Sequence, residues 1–276
     1  MKISHKLNPL AWGVSAVLLA ATLGSSPAFA QGENDFTPIA ALTPQNGFWA
    51  DPNVAGGRSI VIEVVAATGE LFASTLVYDD TGRAIWYVIN TVPSTAVPQG
   101  QLQQFVGGQA LNGNFRTGTY LGSAGTATFD FTSTTTGTVT LPGGVMNIQR
   151  YNLITNGVST GPAAGAPANG WWYSSAESGR GYFIESQGGT MMVAALEYND
   201  LGQAVWYYSR GAMTSATLFT GSLFEPFGGQ NLAGGSNSQA TQNYARGTVT
   251  VQFGTTTTAT ITEPSGRQTA IVRYGF

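Results

Sequence analysis

Tyr198-Asn199-Asp200-Leu201-Gly202-Gln203-Ala204-Val205-Trp206-Tyr207 decides the reading of this chain, because it occurs twice. Tyr78-Asp79-Asp80-Thr81-Gly82-Arg83-Ala84-Ile85-Trp86-Tyr87 stands 120 positions earlier. Each copy reads as a strand end, a turn built from Asn or Asp and Gly, and the start of an apolar strand. Working outward, Asn46-Gly47-Phe48-Trp49 recurs as Asn169-Gly170-Trp171-Trp172. Gly57-Arg58-x-x-x-Ile62-Glu63 recurs as Gly179-Arg180-x-x-x-Ile184-Glu185. Gly107-Gly108-Gln109 matches Gly228-Gly229-Gln230, and Arg150-Tyr151 matches Arg273-Tyr274, all at offsets of 120–123. Chance does not hold such a register, so the pattern predicts a tandem duplication.

Each unit reads as all-β. No stretch sustains a 3.6-residue period, and short β-branched and aromatic runs are separated by Gly, Asn, Asp and Pro. In the second unit eight runs are predicted, at 170–173, 181–186, 191–198, 204–209, 216–224, 247–253, 258–262 and 268–274, with eight counterparts in the first. Val249, Val251 and Phe253 alternate with Thr248, Thr250 and Gln252, the period of a strand with one buried face. Eight short strands joined by tight turns predict two tandem eight-stranded antiparallel up-and-down β-barrels, a fold without free edges; a sandwich is the alternative. The barrels are expected at 44–155 and 169–276, joined by a Gly/Pro/Ala/Ser-rich linker at 156–168.

Residues 1–30 read as a cleaved signal peptide. Lys2 and Lys6 precede an apolar run from Leu10 to Leu23, and Ala28-Phe29-Ala30 fits the cleavage site. Residues 31–43 then form an N-terminal arm. Both lysines and the single histidine lie in the leader and there is no cysteine, so nine arginines face fourteen acids, a net of −5. That inventory removes Ser-His-Asp triads, Cys-His dyads, Schiff bases and His- or Cys-ligated metals. The acidic balance removes a nucleic-acid footprint. Asp79-Asp80 and Asn199-Asp200 read as turns, not as a calcium loop. No cofactor, metal or catalytic residue is predicted.

Two resemblances follow from these residues. Gly47-Phe48-Trp49 with Arg150, and Gly170-Trp171-Trp172 with Arg273, resemble the Gly-x-Trp plus last-strand arginine signature of the calycins, the lipocalin and avidin group. That resemblance implies a cation–π clasp of Trp49 with Arg150 and of Trp172 with Arg273 where each barrel closes. The longer pattern of Gly-Trp-Trp, Ser-Gly-Arg-Gly, Ile-Glu and Trp-Tyr resembles a repeat domain of secreted proteobacterial proteins that carries no assigned activity. It covers 169–207 and, more loosely, 46–87, where Phe48 and Ser59 depart from it. If the motif marks a site, the first unit is expected to have lost it.

Glu63 and Glu185 each interrupt an apolar strand, so each needs a partner or a shifted pKa. Arg58 and Arg180 lie five residues upstream, on the opposite face if the strand continues that far, so an Arg from another strand, such as Arg150 or Arg273, is the expected partner, in an ion pair inside the barrel. In Trp86-Tyr87 and Trp206-Tyr207 one ring faces the core and the other faces outward. Tyr78 and Tyr198 end their strands near a rim. The expected ligand-binding set is Glu63, Tyr78, Trp86, Tyr87, Arg180, Glu185, Tyr198, Trp206 and Tyr207. Runs such as Ile60–Ile62 and Leu76-Val77 are apolar on both faces, which implies a covered outer side, through intramolecular pairing of the repeats or a homodimer.

These readings predict a secreted or periplasmic, non-catalytic binding protein whose aromatic-lined barrel takes a small apolar or aromatic ligand or a glycan. No nucleic-acid partner is expected, and no membrane contact after leader cleavage. Three alternatives stand beside it. One is a surface or protease-inhibitor-type interaction module using the arm. Another is a carboxylate-dependent hydrolase or lyase with Glu185 as acid. The third is an outer-membrane β-barrel, from the alternation ending at Phe276.

Overall fold

The computed structural model describes residues 42–54, 57–91, 97–234 and 242–276. The expected signal peptide and all but the last two residues of the expected arm lie outside the described residues. The first half contains β1 (Gly47–Ala50), β2 (Ser59–Val64), β3 (Leu71–Tyr78), β4 (Ala84–Thr91), β5 (Gln99–Val106), β6 (Thr119–Phe131), β7 (Thr136–Leu141) and β8 (Gly144–Arg150). After a short helix α1 (Gly157–Thr160) come β9 (Gly170–Ser174), β10 (Glu177–Gln187), β11 (Thr190–Tyr198) and β12 (Ala204–Ser215). The second half ends with β13 (Leu218–Phe227), β14 (Gln242–Phe253), β15 (Thr258–Thr262) and β16 (Gln268–Arg273).

Every strand pairs antiparallel with its sequence neighbour, and the last strand of each half returns to the first, so both sheets close into rings. The seams pair Trp49 with Arg150 and Trp172 with Arg273. A sandwich has no such return strand. Closure leaves no edge to protect, and alternation sends one side chain in two to the interior. Trp49, Ile60, Ile62, Ile89, Leu102 and Phe129 fill the first ring. Trp172, Tyr182, Ile184, Val193, Phe219 and Val251 are among those buried in the second half.

The outer faces explain the two-faced apolar strands. Phe48, Val61, Leu76 and Trp86 leave the first ring and pack with Phe183, Leu196 and Trp206 of the second in one buried layer. The contacts across this layer come in matched pairs. Trp86 Nε1 donates to the carbonyls of Glu197 (2.9 Å) and Val205 (3.1 Å), and Trp206 Nε1 donates to that of Val77 (3.0 Å). The loop after β5 crosses to the second ring, where Tyr198 N–H donates to Gln109 O (3.1 Å). The loop after β13 crosses back, and Tyr78 N–H donates to Gln230 O (3.1 Å). Gly108 and Gly229 allow this, since a Cβ at either position would collide with the ring of Tyr198 or Tyr78.

The seam arginines depart from the expected clasp. Trp49 and Trp172 are fully buried and spend their indole N–H groups on Gln45 O and Ala168 O, both at 3.1 Å. Among the described residues the cation–π contacts are Arg180 on Tyr182 and Arg210 on Tyr151. Arg150 and Arg273 instead turn over Gly47 and Gly170, where a Cβ would strike the guanidinium. A buried guanidinium needs oxygen acceptors more than an aromatic face. The glycine of Gly-x-Trp here gives the arginine its passage.

Candidate functional site

Arg150 reaches Glu185 of the other ring, with Nη2 to Oε1 at 2.5 Å and Nη1 to Oε2 at 3.2 Å. Arg273 does the same to Glu63. Both carboxylates also accept a backbone N–H from across the layer: Phe48 N–H to Glu185 at 2.7 Å and Trp171 N–H to Glu63 at 3.0 Å. Glu63 and Glu185 therefore sit between the rings, each answering the arginine at the other ring's seam. Burial still raises the Glu63 pKa, with Arg273 opposing.

Arg180 faces the opposite way, into the second ring. Its guanidinium meets Glu197 (3.3 Å), Glu263 and Glu177 (2.6 Å), and donates to Thr269 Oγ1 at 2.7 Å. Arg267 adds a second cation beside Glu177 and Glu263. Glu197 is 1% exposed, and burial raises its pKa to about 8 against the pull of Arg180. Burial also pushes the Tyr182 hydroxyl well above its ordinary value. This cluster is closed by the crossing loop: Asn112 N–H donates to Glu263 (2.9 Å) and Asn112 Oδ1 accepts from Ser265 N–H. The ion pairs leave Arg180 Nε, Glu197 Oε2 and the Tyr182 hydroxyl buried in the cluster with no hydrogen-bond partner.

Among the described residues the first ring has no matching cluster. Arg58 stands where Arg180 does, but Val77 and Leu141 occupy the positions of Glu197 and Glu263. Sequence reasoning picked out Arg180 and missed Glu177, Glu197, Glu263, Arg267 and Thr269. The available signal was the exchange of carboxylate for an apolar residue at two interior positions of otherwise matching strands.

The remaining candidates divide by face. Tyr87 and Tyr207 enter the two cores, and Trp86 and Trp206 enter the layer between the rings. Tyr78 and Tyr198 lie edge-on against Trp206 (5.7 Å) and Trp86 (5.5 Å) beneath the crossing loops, where Tyr78 also borders a cleft between the rings. Burial raises the Tyr198 pKa.

An open cleft of about 790 Å³ lies between the rings on one side. Tyr151 and Tyr208 present their rings to it, with Met192 beside them and the nearly buried Phe48, Tyr78 and Trp206 behind. Arg58, Arg150 and Arg210 also line it, against a single acid, Asp51. Arg210 is anchored to Tyr151, donating to its hydroxyl at 3.2 Å with the guanidinium carbon 5.7 Å from the ring centre. Of the expected binding set, the cleft gathers only Tyr78 and Trp206. On the other side the corresponding positions carry Phe72, Trp171 and Tyr274, which pack with Phe276 in edge-on and tilted contacts at 4.7–5.3 Å, Phe72 and Tyr274 being stacked at 6.2 Å. Comparison with protein-family models, curated proteins and solved structures finds no match to this chain.

Proposed function

We propose that this chain is an exported, non-catalytic binding protein whose ligand site is the cleft between its two rings. The single observation that carries this reading is an open 790 Å³ space with aromatic walls, in a chain whose ring interiors are packed with side chains. Its volume lies within the range of small-molecule pockets, roughly 300–1,000 Å³. Aromatic faces with a few fixed polar groups suit a small aromatic ligand or a sugar. The non-catalytic reading is supported by the carboxylates: Glu63, Glu185, Glu197 and Glu263 are each buried against an arginine. The leader-like residues 1–30 support export to the periplasm or beyond. In the same reading the rings are copies of one duplicated, calycin-like unit, supported by matched seams and matched contacts across the layer.

The test is ligand-observed NMR with neutral aromatics such as 2-naphthol and neutral disaccharides such as lactose. Tyr208→Ala is expected to weaken binding about tenfold, the loss of roughly 1.4 kcal/mol of ring contact. Tyr120→Ala, outside the cleft, serves as the control. Equal behaviour of the two variants would sink the assignment of the site.

A further inference from the structure

Arg58 and Arg180 are the same residue of two matching strands, placed in opposite electrostatic circumstances. Arg180 has three carboxylates within ion-pair distance. Arg58 is as deeply buried, at 5% exposure against 6%. Yet no ion pair reaches it among the described residues. Its guanidinium donates one hydrogen bond, Nη1 to Leu232 O at 2.7 Å. Its Nε is buried with no partner, as are those of Arg150 and Arg180, so the contrast lies in the missing ion pairs. Asp51 is the acid nearest in influence, but its carboxylate accepts Asn53 N–H at 2.9 Å and makes no bridge to Arg58. Burial pulls the Arg58 guanidinium below the usual arginine range.

A buried cation without a counter-charge costs stability, and deletion of the acids around it makes the cost larger. The chain retains the arginine where those acids are gone, and this arginine lies in the lining of the open cleft. Nη1 is engaged by Leu232 and Nε is shut away from solvent, which leaves Nη2 as the atom a carboxylate could bond. Arg150 is already neutralised by Glu185 and Asp51 also lines the cleft, so its charge suits a monoanion better than a phosphate dianion.

We propose that Arg58 is the anion-recognising residue of the cleft, and that the ligand supplies the missing counter-charge as a carboxylate borne on a ring. This rests on the cleft being the ligand site. An aromatic carboxylate and a uronate sugar share that chemistry, and matched probes separate them. Calorimetry on the full chain would compare 2-naphthoate with 2-naphthamide, and digalacturonate with its methyl ester. In one of the two pairs the carboxylate is expected to bind about ten- to a hundredfold tighter than its neutral match, the worth of a charge-assisted hydrogen bond. Arg58→Met is expected to erase that difference. In the ligand-free chain, Arg58→Met is expected to raise the thermal midpoint, whereas Arg180→Met lowers it by stranding Glu197 and leaving Glu177 and Glu263 to Arg267 alone.

Binding in both pairs without regard to charge would overturn the proposal and leave the cleft as a site. No binding by any probe, with Tyr208→Ala indifferent, would remove the site and the proposal together. A ligand-free chain destabilised by Arg58→Met as strongly as by Arg180→Met would also overturn it. That result would assign the counter-charge to the chain itself.

Discussion

Glu185 is held by Arg150, by Phe48 N–H and by Gln187 Nε2, and almost nothing of it reaches solvent. Removing one partner of a buried pair leaves the other charge stranded, so Glu185→Ala is expected to cost roughly 3–5 kcal/mol. Replacing both members, Arg150→Met with Glu185→Leu, is expected to recover most of that loss in urea unfolding. A single-variant cost no larger than breaking the surface pair Arg246–Glu225 would show that the bridge does not hold the layer. Glu197 gives a pH prediction. Its folded pKa of about 8 lies above the ordinary value of about 4.3, so the folded chain binds this proton more tightly than the unfolded chain. The resulting stabilisation is complete below pH ~4 and is lost as pH rises through about 8. Arg180, Arg267, Glu263 and Tyr182 share its surroundings and stay in place in the variant. Between pH 5 and 8.5 the parent chain should therefore lose more stability than Glu197→Gln, and parallel curves would refute this. At this scale the sequence carried the need of Glu63 and Glu185 for an arginine from another strand, with Arg150 and Arg273 among the choices, but placed the pair inside one barrel. It did not carry that each pair spans two rings, because burial demands a partner without saying where it comes from.

At the scale of elements, strands were legible where one face is apolar and the other is not. Ala127 and Phe129 of β6 are buried while Asp130 is exposed. The same logic missed strand that is polar on both faces. β14 begins at Gln242, five residues before the predicted 247, and its residues up to Gly247 are all exposed. β12 likewise runs to Ser215, beyond the predicted 209. The crossing loops were visible only as the recurring Gly-Gly-Gln. What that motif does, clearing a tyrosine ring and offering a carbonyl to its amide, depends on a neighbour about ninety residues away or more. Gly108→Val should therefore lift the first loop from Tyr198. The expected cost is about 1–3 kcal/mol, the range of overpacking, with faster hydrogen exchange at the Tyr198 amide. Unchanged exchange there would mean that the loop is not docked through Gly108.

For the whole molecule, the buried layer makes each ring dependent on the other. The join between them is itself packed: α1 lies in it, and Gly188 N–H donates to Gly161 O at 2.7 Å. A chain cut by protease within 156–168 is expected to elute from size exclusion as one 1:1 species that only denaturant separates. Independent elution of the two pieces would contradict the layer. Each ring expressed alone exposes its Trp86 or Trp206 face and should self-associate. The cleft was the least legible feature. It arises from how two rings meet, and from Met192 and Tyr208 standing where the first ring has Phe72 and Val88. Neither fact belongs to one strand's periodicity.

The exchange of charges across the layer has a consequence for how such a molecule can change. A solitary ring bearing both an outward glutamate and a seam arginine would satisfy them only by meeting a twin, and a twin forces both halves of the encounter to be identical. A covalent tether makes the meeting certain at any dilution and releases that constraint. One flank can then be bricked up by Phe72, Tyr274 and Phe276 while the other stands ajar as a vestibule.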